Sequence, residues 1–165
     1  MRAESIVEAE YTDVSNTEVN LVVSAVMPND IKNIWDQVNT MIYRACKRSG
    51  GRHDTHTVYS DLINNHQHLW LAINTVNDTV MACATSQFII YPTGLKMLDI
   101  VMLGGSHKEN WLKDGWQVLE NWAKDNGCSG IQCVGRRGLA HLTTKQDNSW
   151  KEQAVMFEKK FKEDM

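Results

Sequence analysis

The chain has 165 residues and a formal net charge of −3, with 17 basic and 20 acidic side chains spread along it. This length is typical of a single domain. Proteins that bind nucleic acid usually have a basic face, and this distribution of charge does not provide one. No apolar run is long enough to span a membrane, and residues 1–10 carry Arg2, Glu4 and Glu8 where a secretion signal would be apolar. The sequence therefore predicts a cytoplasmic protein with neither a nucleic-acid nor a membrane partner.

Residues 1–18 are polar, acidic and without a sustained hydrophobic period. This composition is typical of a flexible arm, and we predict that residues 19–165 form a single domain behind it. Ile6 and Val7 are the residues through which the arm would contact a partner protein. The cysteines lie within apolar segments, where a free thiol packs as a small hydrophobic group, so we predict no disulfide.

The first half of the domain predicts one strand and two helices. Residues 20–27 form a short β-rich run that Pro28 ends, and Asn29 is a suitable N-cap for the helix that follows. That helix carries apolar residues at three- and four-residue spacing as far as the glycine pair Gly50-Gly51. A shorter helix is predicted over Thr55–Asn65.

Three strands in an antiparallel meander are predicted next. Gln67–Val76 alternates apolar and polar residues, and Asn77-Asp78 suits a tight hairpin turn. The second strand covers Thr79–Tyr91. The chain turns again at Pro92-Thr93-Gly94, and the third strand covers Leu95–Leu103.

The hydrophobic period then changes to that of a helix. Ser106 and Glu109 match a capping box, and the predicted helix ends at Asn126-Gly127. The next strand, Ser129–Val134, is expected to run parallel to Leu95–Leu103, because a strand–helix–strand passage of this length forms a right-handed crossover.

The remaining chain predicts a turn at Gly135–Gly138, a short helix over Leu139–Lys145 and a closing strand over Gln153–Phe161. Together these elements predict an α/β (α+β) domain. Its mixed sheet has about six strands, an antiparallel meander plus a parallel crossover, and three to four helices cover it.

This order of elements resembles that of the GNAT N-acetyltransferase superfamily over about residues 20–161. One local match is Ile100–Leu103 followed by two glycines and a capped helix. Another is Val134–Gly138, which resembles the turn after the fifth strand in compact GNAT-like proteins of tailed bacteriophages. Ser49–Gly51 together with Leu69–Ala72 is similar to the same phage proteins. The resemblance implies a GNAT-like protein encoded by a phage.

In that family acetyl-CoA lies between the fourth and fifth strands, with its pyrophosphate where the fourth strand turns into its helix. Glycines before a helix N-terminus suit an anion, since backbone amides and the helix dipole both favour negative charge. The resemblance implies that the cofactor contacts Val101, Leu103, Gly104, Gly105, Ser106, His107 and Arg136. It implies Asp99 as the candidate general base and His141 as the candidate proton donor, because no tyrosine follows Tyr91.

The sequence departs from the family pattern in two places. The usual signature of the family at this turn is Gln or Arg, then any two residues, Gly, any one residue, and Gly or Ala. The segment at 104–111, GGSHKENW, does not match that signature, and the last helix has no tyrosine. Two functions therefore stay open. One is an acetyl-CoA-dependent N-acetyltransferase acting on an amine of a small molecule or protein. The other is a non-catalytic phage protein, either a virion or assembly component or an inhibitor that binds a host protein through the N-terminal arm.

The histidines and cysteines do not indicate a metal centre. His53 and His56 are three residues apart, whereas two ligands on one helix face are usually four apart, and His66 and His68 have no partner at a fixed spacing. We predict no metal. The expected location is the cytoplasm of a bacterial host, or the virion if the protein is packaged.

Overall fold

The computed structural model describes residues 3–12 and 18–162. A six-stranded sheet contains the strands β1 (Ala3–Thr12), β2 (Glu18–Val26), β3 (His68–Asn74), β4 (Thr79–Ile90), β5 (Lys96–Gly105) and β6 (Gly130–Cys133), in that spatial order. The helices are α1 (Ile31–Lys47), α2 (Thr55–Ile63), α3 (Lys108–Asp125) and α4 (Arg137–Gln146), and a short 3-10 turn at Pro28–Asp30 precedes α1. The predicted mixed α/β architecture is confirmed.

The strand pairing follows the chain order. β1 to β5 pair antiparallel with their neighbours, and β5 pairs parallel with β6 across the α3 crossover. The predicted meander and the predicted parallel crossover are therefore both confirmed. One irregularity bears on the candidate site: Thr85 pairs with Met102 and Ser86 pairs with Ile100, so Val101 is an extra residue that makes a bulge in β5.

The sheet has a separate apolar layer on each face. On one face α1 and α2 pack on side chains from four strands, among them Leu69, Leu71 and Met102. On the other face α3 packs through Trp111, Leu112, Trp116 and Leu119. Both layers follow from the three- and four-residue apolar spacing of the helices. The apolar sides of the predicted helices and strands place Trp35, Leu71, Ile100, Trp116 and Trp122 in one core between the sheet and its helices. The single core is wrong, because the sheet separates the two layers.

The predicted core residues are buried to different extents. Leu71, Ile100 and Trp116 are buried. Trp35 and Trp122 are only half-buried, and each meets another aromatic ring: Trp35 meets Tyr59 at 4.8 Å between centroids, and Trp122 meets Phe88 at 4.9 Å. A tryptophan at the border of a helix face buries its ring on one side only, so half-burial is compatible with the predicted helical register.

The helix starts differ in part from the predicted caps. Asn29 is inside the 3-10 turn and Asp30 is the N-cap of α1, without a side-chain hydrogen bond to the helix. In α2, Asp54 makes a full capping box: the amide of Thr57 donates to its carboxylate at 2.7 Å, and the Thr57 side chain bonds back. Burying the apolar face of α1 against the sheet stabilises the helix by more than the missing cap costs.

Two terminal predictions differ from the structure. Ala3–Thr12, predicted as part of a flexible arm, forms β1 beside β2, which would otherwise leave its backbone groups unpaired at the sheet edge. Residues 1–2 and 13–17 lie outside the described residues, and the domain limits 1–18 and 19–165 stay a prediction. The closing strand predicted over Gln153–Phe161 is wrong, since residues 151–162 have no regular secondary structure. Charged residues interrupt its alternation after Phe157, whose side chain is 92% exposed.

The chain divides into two compact units between Val134 and Gly135. The first contains the sheet, α1, α2 and α3. The second contains α4 and the segment that follows it. Within the described ranges 3–12 and 18–162, no helix is both long and apolar enough to cross a membrane.

Candidate active site

The pairing of β5 with β6 ends at the point where the family resemblance implies a cofactor. Their parallel pairing covers Met97 to Ile100 on β5 and Gly130 to Cys133 on β6. β5 continues for five more residues to Gly105, whereas β6 ends at Cys133. Within the described chain, the β6-facing edge of β5 beyond Ile100 has no strand partner. The parallel pairing therefore ends where β6 ends, and the backbone from Val101 to Gly105 borders the opening that this leaves beside β5.

The two glycines belong to the strand and not to the turn. Gly104 pairs with Cys83 and Gly105 pairs with Ala82. A Cβ on Gly104 would lie 2.9 Å from the carbonyl oxygen of Met41 in α1. Gly105 has φ +132°, and a Cβ there would lie 2.5 Å from the carbonyl oxygen of Met81. Close backbone packing on both sides of β5 therefore explains both glycines without a ligand.

The predicted capping box is wrong. His107, with φ 57°, is the N-cap of α3, and no side chain caps the helix there. Ser106 lies one residue outside, where its amide donates to the carbonyl of Met81 at 3.3 Å and its carbonyl accepts from the indole of Trp111 at 2.6 Å. The left-handed conformation at His107 turns the chain one residue later than the sequence pattern indicates. The Ser106 amide is consequently occupied within the protein.

The first turn of α3 starts at Lys108, immediately after this bend. The first amides of a helix have no intrahelical acceptor, so they and the dipole make this turn the anion-attracting end of the site. Lys108 is half-buried there, and its charge acts on the Cys133 thiol across the opening. Glu109 is exposed in the same turn, and its negative charge disfavours the binding of an anion there.

Asp99 lies in a row of polar side chains that crosses three strands. It pairs in register with Gln87 on β4 and with Gln132 on β6, on the same sheet face as α1 and α2. The side-chain amide of Gln87 donates to Asp99 Oδ2 at 3.1 Å, and that of Gln132 donates to Asp99 Oδ1 at 3.2 Å. Gln132 also contacts the hydroxyl of Tyr91, with 2.9 Å between Nε2 and Oη.

Sequence reasoning singled out Asp99 but missed Gln87, Gln132 and the part played by Tyr91. Gln87 and Asp99 are equidistant from the predicted turn at Pro92–Gly94, so this pair was within reach of the sequence. The register of Gln132 depends on the length of the crossover, which the sequence pattern does not fix.

Cys133 sits at the end of β6, paired with Ile100 at the start of the opening. Burial, together with the smaller effect of the Asp99 carboxylate, raises the pKa of its thiol to about 12, and Lys108 acts in the opposite direction. At neutral pH the group is a thiol, which is a poor nucleophile. The chemistry of the site thus favours direct transfer between bound molecules over an acyl-cysteine.

The other predicted site residues are distributed as follows. Val101 is half-buried at the bulge against the α1–α2 layer, and Leu103 is half-buried on the α3 face. Arg136 and His141 belong to the second unit. There Arg136 is the exposed N-cap of α4, and His141 is exposed, with its carbonyl accepting from the Thr144 hydroxyl. The roles predicted for these four residues stay predictions.

A metal centre has no set of ligands in the described part of the chain. No group of three or more His, Cys, Asp or Glu side chains between residues 20 and 162 is placed to hold an ion. The four cysteines are free.

The fold is shared with solved acetyltransferases. An aminoglycoside acetyltransferase from an uncultured soil metagenomic sample, in complex with sisomicin, superposes with a TM-score of 0.63 at 14% identity over 86% of this chain and 97% of that one. A predicted acetyltransferase with acetyl-CoA from Clostridium acetobutylicum gives 0.58 at 17% identity over 84% and 96%. This chain has the GNAT fold.

A third solved structure with this fold is the ribosomal-protein-alanine N-acetyltransferase from Brucella melitensis biovar Abortus, with a TM-score of 0.55 at 13% identity over 84% of this chain and 99% of that one. No family model matches the sequence, and no curated protein matches it. Identities this low establish the GNAT fold alone, so the activity must be argued from the site.

Proposed function

We propose that this GNAT-fold protein is an acetyl-CoA-dependent N-acetyltransferase that acts on an amine. The observation that carries the proposal is the unpaired edge of β5 beyond Ile100, directly beside the Asp99 row. A solved neighbour contains acetyl-CoA and another contains sisomicin, which supports a small-molecule acceptor. Bound acetyl-CoA supplies a thioester whose carbonyl carbon an amine can attack.

The residues fit this cofactor in part. The unpaired edge of β5 from Val101 to Gly105 is open to an extended amide-containing chain, which could pair with it as a strand does. Phosphates fit the first turn of α3 beside Lys108 better than they fit Gly104–Ser106, because the glycines pack on backbone and the Ser106 amide is occupied. We propose His107 and Lys108 as the phosphate contacts and retain Arg136 as a third.

Asp99 is the proposed general base. Its carboxylate lies on β5 one residue before the last paired position, so an amine bound against it lies near the start of the opening. The carboxylate takes the proton of the incoming amine, and His141 is retained as the proposed donor to the leaving group.

A non-catalytic role is the second candidate, and one observation favours it. Glu109 in the first turn of α3 and the occupied amide of Ser106 both weaken the site for phosphates. In that case the chain serves as a phage virion or assembly component, or as an inhibitor of a host protein. Phage origin and the bacterial cytoplasm or virion as location belong to this proposal and rest on the sequence resemblance.

Thermal unfolding with acetyl-CoA tests the proposed function. Ligand at a hundred times its dissociation constant stabilises a protein by about 2.7 kcal/mol. Lys108→Gln is expected to weaken binding, whereas Lys113→Gln, the same charge change on an exposed position of α3, keeps it. Absence of any shift in the wild-type melting temperature at millimolar acetyl-CoA contradicts the enzyme and leaves the non-catalytic candidate. Where binding is found, acetyl transfer to sisomicin is the first acceptor assay.

A further inference from the structure

The Asp99 carboxylate is held by two neutral donors and has no cationic partner among residues 20–162. Gln87 and Gln132 approach it from the strands on either side, and each donates to a different oxygen. No described lysine, arginine or histidine forms an ion pair with it. Each carboxylate oxygen has room for about two hydrogen bonds, so one position on each oxygen stays available.

The amide of Gln132 has one orientation that fits its surroundings. An ionised carboxylate only accepts hydrogen bonds, so Nε2 and not Oε1 must face Asp99. The second proton of Nε2 points to the Tyr91 hydroxyl at 2.9 Å, and Oε1 lies 3.2 Å from the same hydroxyl. Rotating the amide by half a turn would set its oxygen against the carboxylate. The carboxylate therefore sets the orientation of the amide, and the Tyr91 hydroxyl, which both donates and accepts, holds the amide in place through its two polar atoms.

The row is also open to solvent. Gln87, Asp99 and Gln132 are each half-buried, and the Tyr91 side chain is 38% exposed. A half-buried carboxylate that is fixed on two sides and lacks a counter-ion attracts a cationic hydrogen-bond donor, and the charge-assisted bonds so formed are among the strongest.

We propose that Gln87 and Gln132 are positioning residues that hold the Asp99 carboxylate for the ammonium group of the acceptor, and that Tyr91 fixes the Gln132 amide. This inference rests on the proposed function and deepens it. In the step concerned, an N–H bond of the ammonium breaks, its proton moves to an Asp99 oxygen, and the nitrogen keeps the electron pair with which it attacks an acyl thioester. The C–S bond then breaks, the nitrogen gives a second proton to the departing sulfur, and the products are the amide and the free thiol, so no oxidant or reductant is involved.

The ammonium site can be tested on the protein without cofactor. Side-chain amide signals of Gln87 and Gln132 are assigned by nitrogen-15 NMR through their loss in Gln87→Met and Gln132→Met. Ethylammonium chloride is expected to shift both signals in the wild type and neither in Asp99→Asn. Tetramethylammonium chloride, a cation without an N–H group, controls for ionic strength. Asp36→Asn, on an exposed position of α1, is expected to respond as the wild type does. Equal shifts with both cations, or no shift with either, overturn the ammonium site.

The positioning role needs a separate measurement. Couplings between the α and β protons of Asp99 report its χ1 angle, and we expect one rotamer in the wild type and rotamer averaging in Gln132→Met, with a smaller change in Tyr91→Phe. Methionine keeps the length of the glutamine and removes both donors. Unchanged couplings in both variants overturn the positioning role, and circular dichroism verifies that each variant is folded.

Kinetics distinguish this inference from the proposed function. If the protein transfers acetyl groups, Gln132→Met is expected to lower kcat about tenfold with little change in the KM for acetyl-CoA, since a hydrogen bond to a charged group is lost. Adding Gln132→Met to Asp99→Asn should then cause no further loss, because Gln132 acts through Asp99. Additive losses overturn the inference and leave the enzyme intact. Failure to bind acetyl-CoA overturns the proposed function, while the NMR measurements still decide the Asp99 row.

Discussion

The indole nitrogen of Trp70 donates a hydrogen bond to the hydroxyl of Ser86 at 2.9 Å, between neighbouring strands beneath α3. Both residues are buried. Nδ1 of His68 lies 3.4 Å from the same hydroxyl, and the His68 ring contacts the rings of Trp122 and Phe88. A single serine thus serves two polar groups inside an aromatic cluster, and two predictions follow from this arrangement.

Ser86→Ala is expected to destabilise the fold by about 1–3 kcal/mol, because the buried Trp70 nitrogen loses its acceptor. Trp70→Phe alone removes the donor together with part of the ring. The double variant should then lose less than the sum of the two single variants, since neither polar group is left without a partner. Urea unfolding of the four proteins measures this coupling, and additive losses would show that the hydrogen bond contributes nothing.

Stability is expected to fall with decreasing pH because of His68. Burial lowers the pKa of its imidazole, and a hydrogen bond with the backbone of Ser86 opposes that effect only in part. The folded protein therefore favours neutral His68, and the unfolded chain takes up the proton first, near pH 6.5. The stabilisation is complete above that pH and is lost as the pH falls toward the lowered pKa of the folded state.

Urea unfolding between pH 5 and pH 8 measures this dependence. His68→Gln is expected to flatten the curve in that range, whereas His56→Gln, on an exposed position of α2, should leave its shape unchanged. A wild-type curve that is no steeper than that of His68→Gln would contradict the prediction.

Gly115→Ala is expected to stabilise the protein by about 0.5–1 kcal/mol. Glycine in a helix interior is less favourable than alanine by about that amount, and a Cβ here would meet only the Trp111 ring, at 3.9 Å. The site also borders an apolar cavity of about 30 Å³ between α3 and the sheet, so there is space for a methyl group. The measurement is the urea midpoint, and a lower midpoint than that of the wild type would show that α3 requires the glycine.

Gly104→Ala is expected to have the opposite effect. Its Cβ would lie 2.9 Å from backbone oxygen of Met41, which cannot move without shifting α1 from the sheet. Overpacking of this kind destabilises by about 1–3 kcal/mol. A urea midpoint equal to that of the wild type would show that α1 can shift at no cost.

The sequence was sufficient for elements whose pattern is local. The apolar periods predicted α1 and α3, and the turn at Asn77-Asp78 placed the hairpin between β3 and β4. The N-terminus of α3 was predicted one residue early, because a left-handed His107 depends on contacts of Ser106 with Met81 and Trp111. These contacts are distant in sequence or fixed by packing, so residue type alone does not indicate them.

The candidate site was predictable in part: the turn at Pro92–Gly94 sets Gln87 opposite Asp99, whereas no sequence pattern indicates Gln132. Asp99 could be chosen because it is a carboxylate on the strand before the crossover. Its partners Gln87 and Gln132 are 12 and 33 positions away, and strand register brings them to it. A shift of one residue in either pairing would send the glutamine to the opposite face.

Because Val101 is an extra residue, the alternation of side chains between the two faces of the sheet reverses within β5. Ile100 and Met102 would share a face in a regular strand, but Ile100 pairs with Ser86 on the α3 side while Met102 contacts Cys46 of α1. Deleting Val101 would join Ile100 directly to Met102, and both residues would keep their native partners, Ser86 and Thr85, and their native faces of the sheet. The deletion would therefore remove the bulge without turning Gly104 away from Met41. Among chains related to this one by descent, a one-residue gap at position 101 is compatible with the same strand register and would mark members in which β5 is a regular strand.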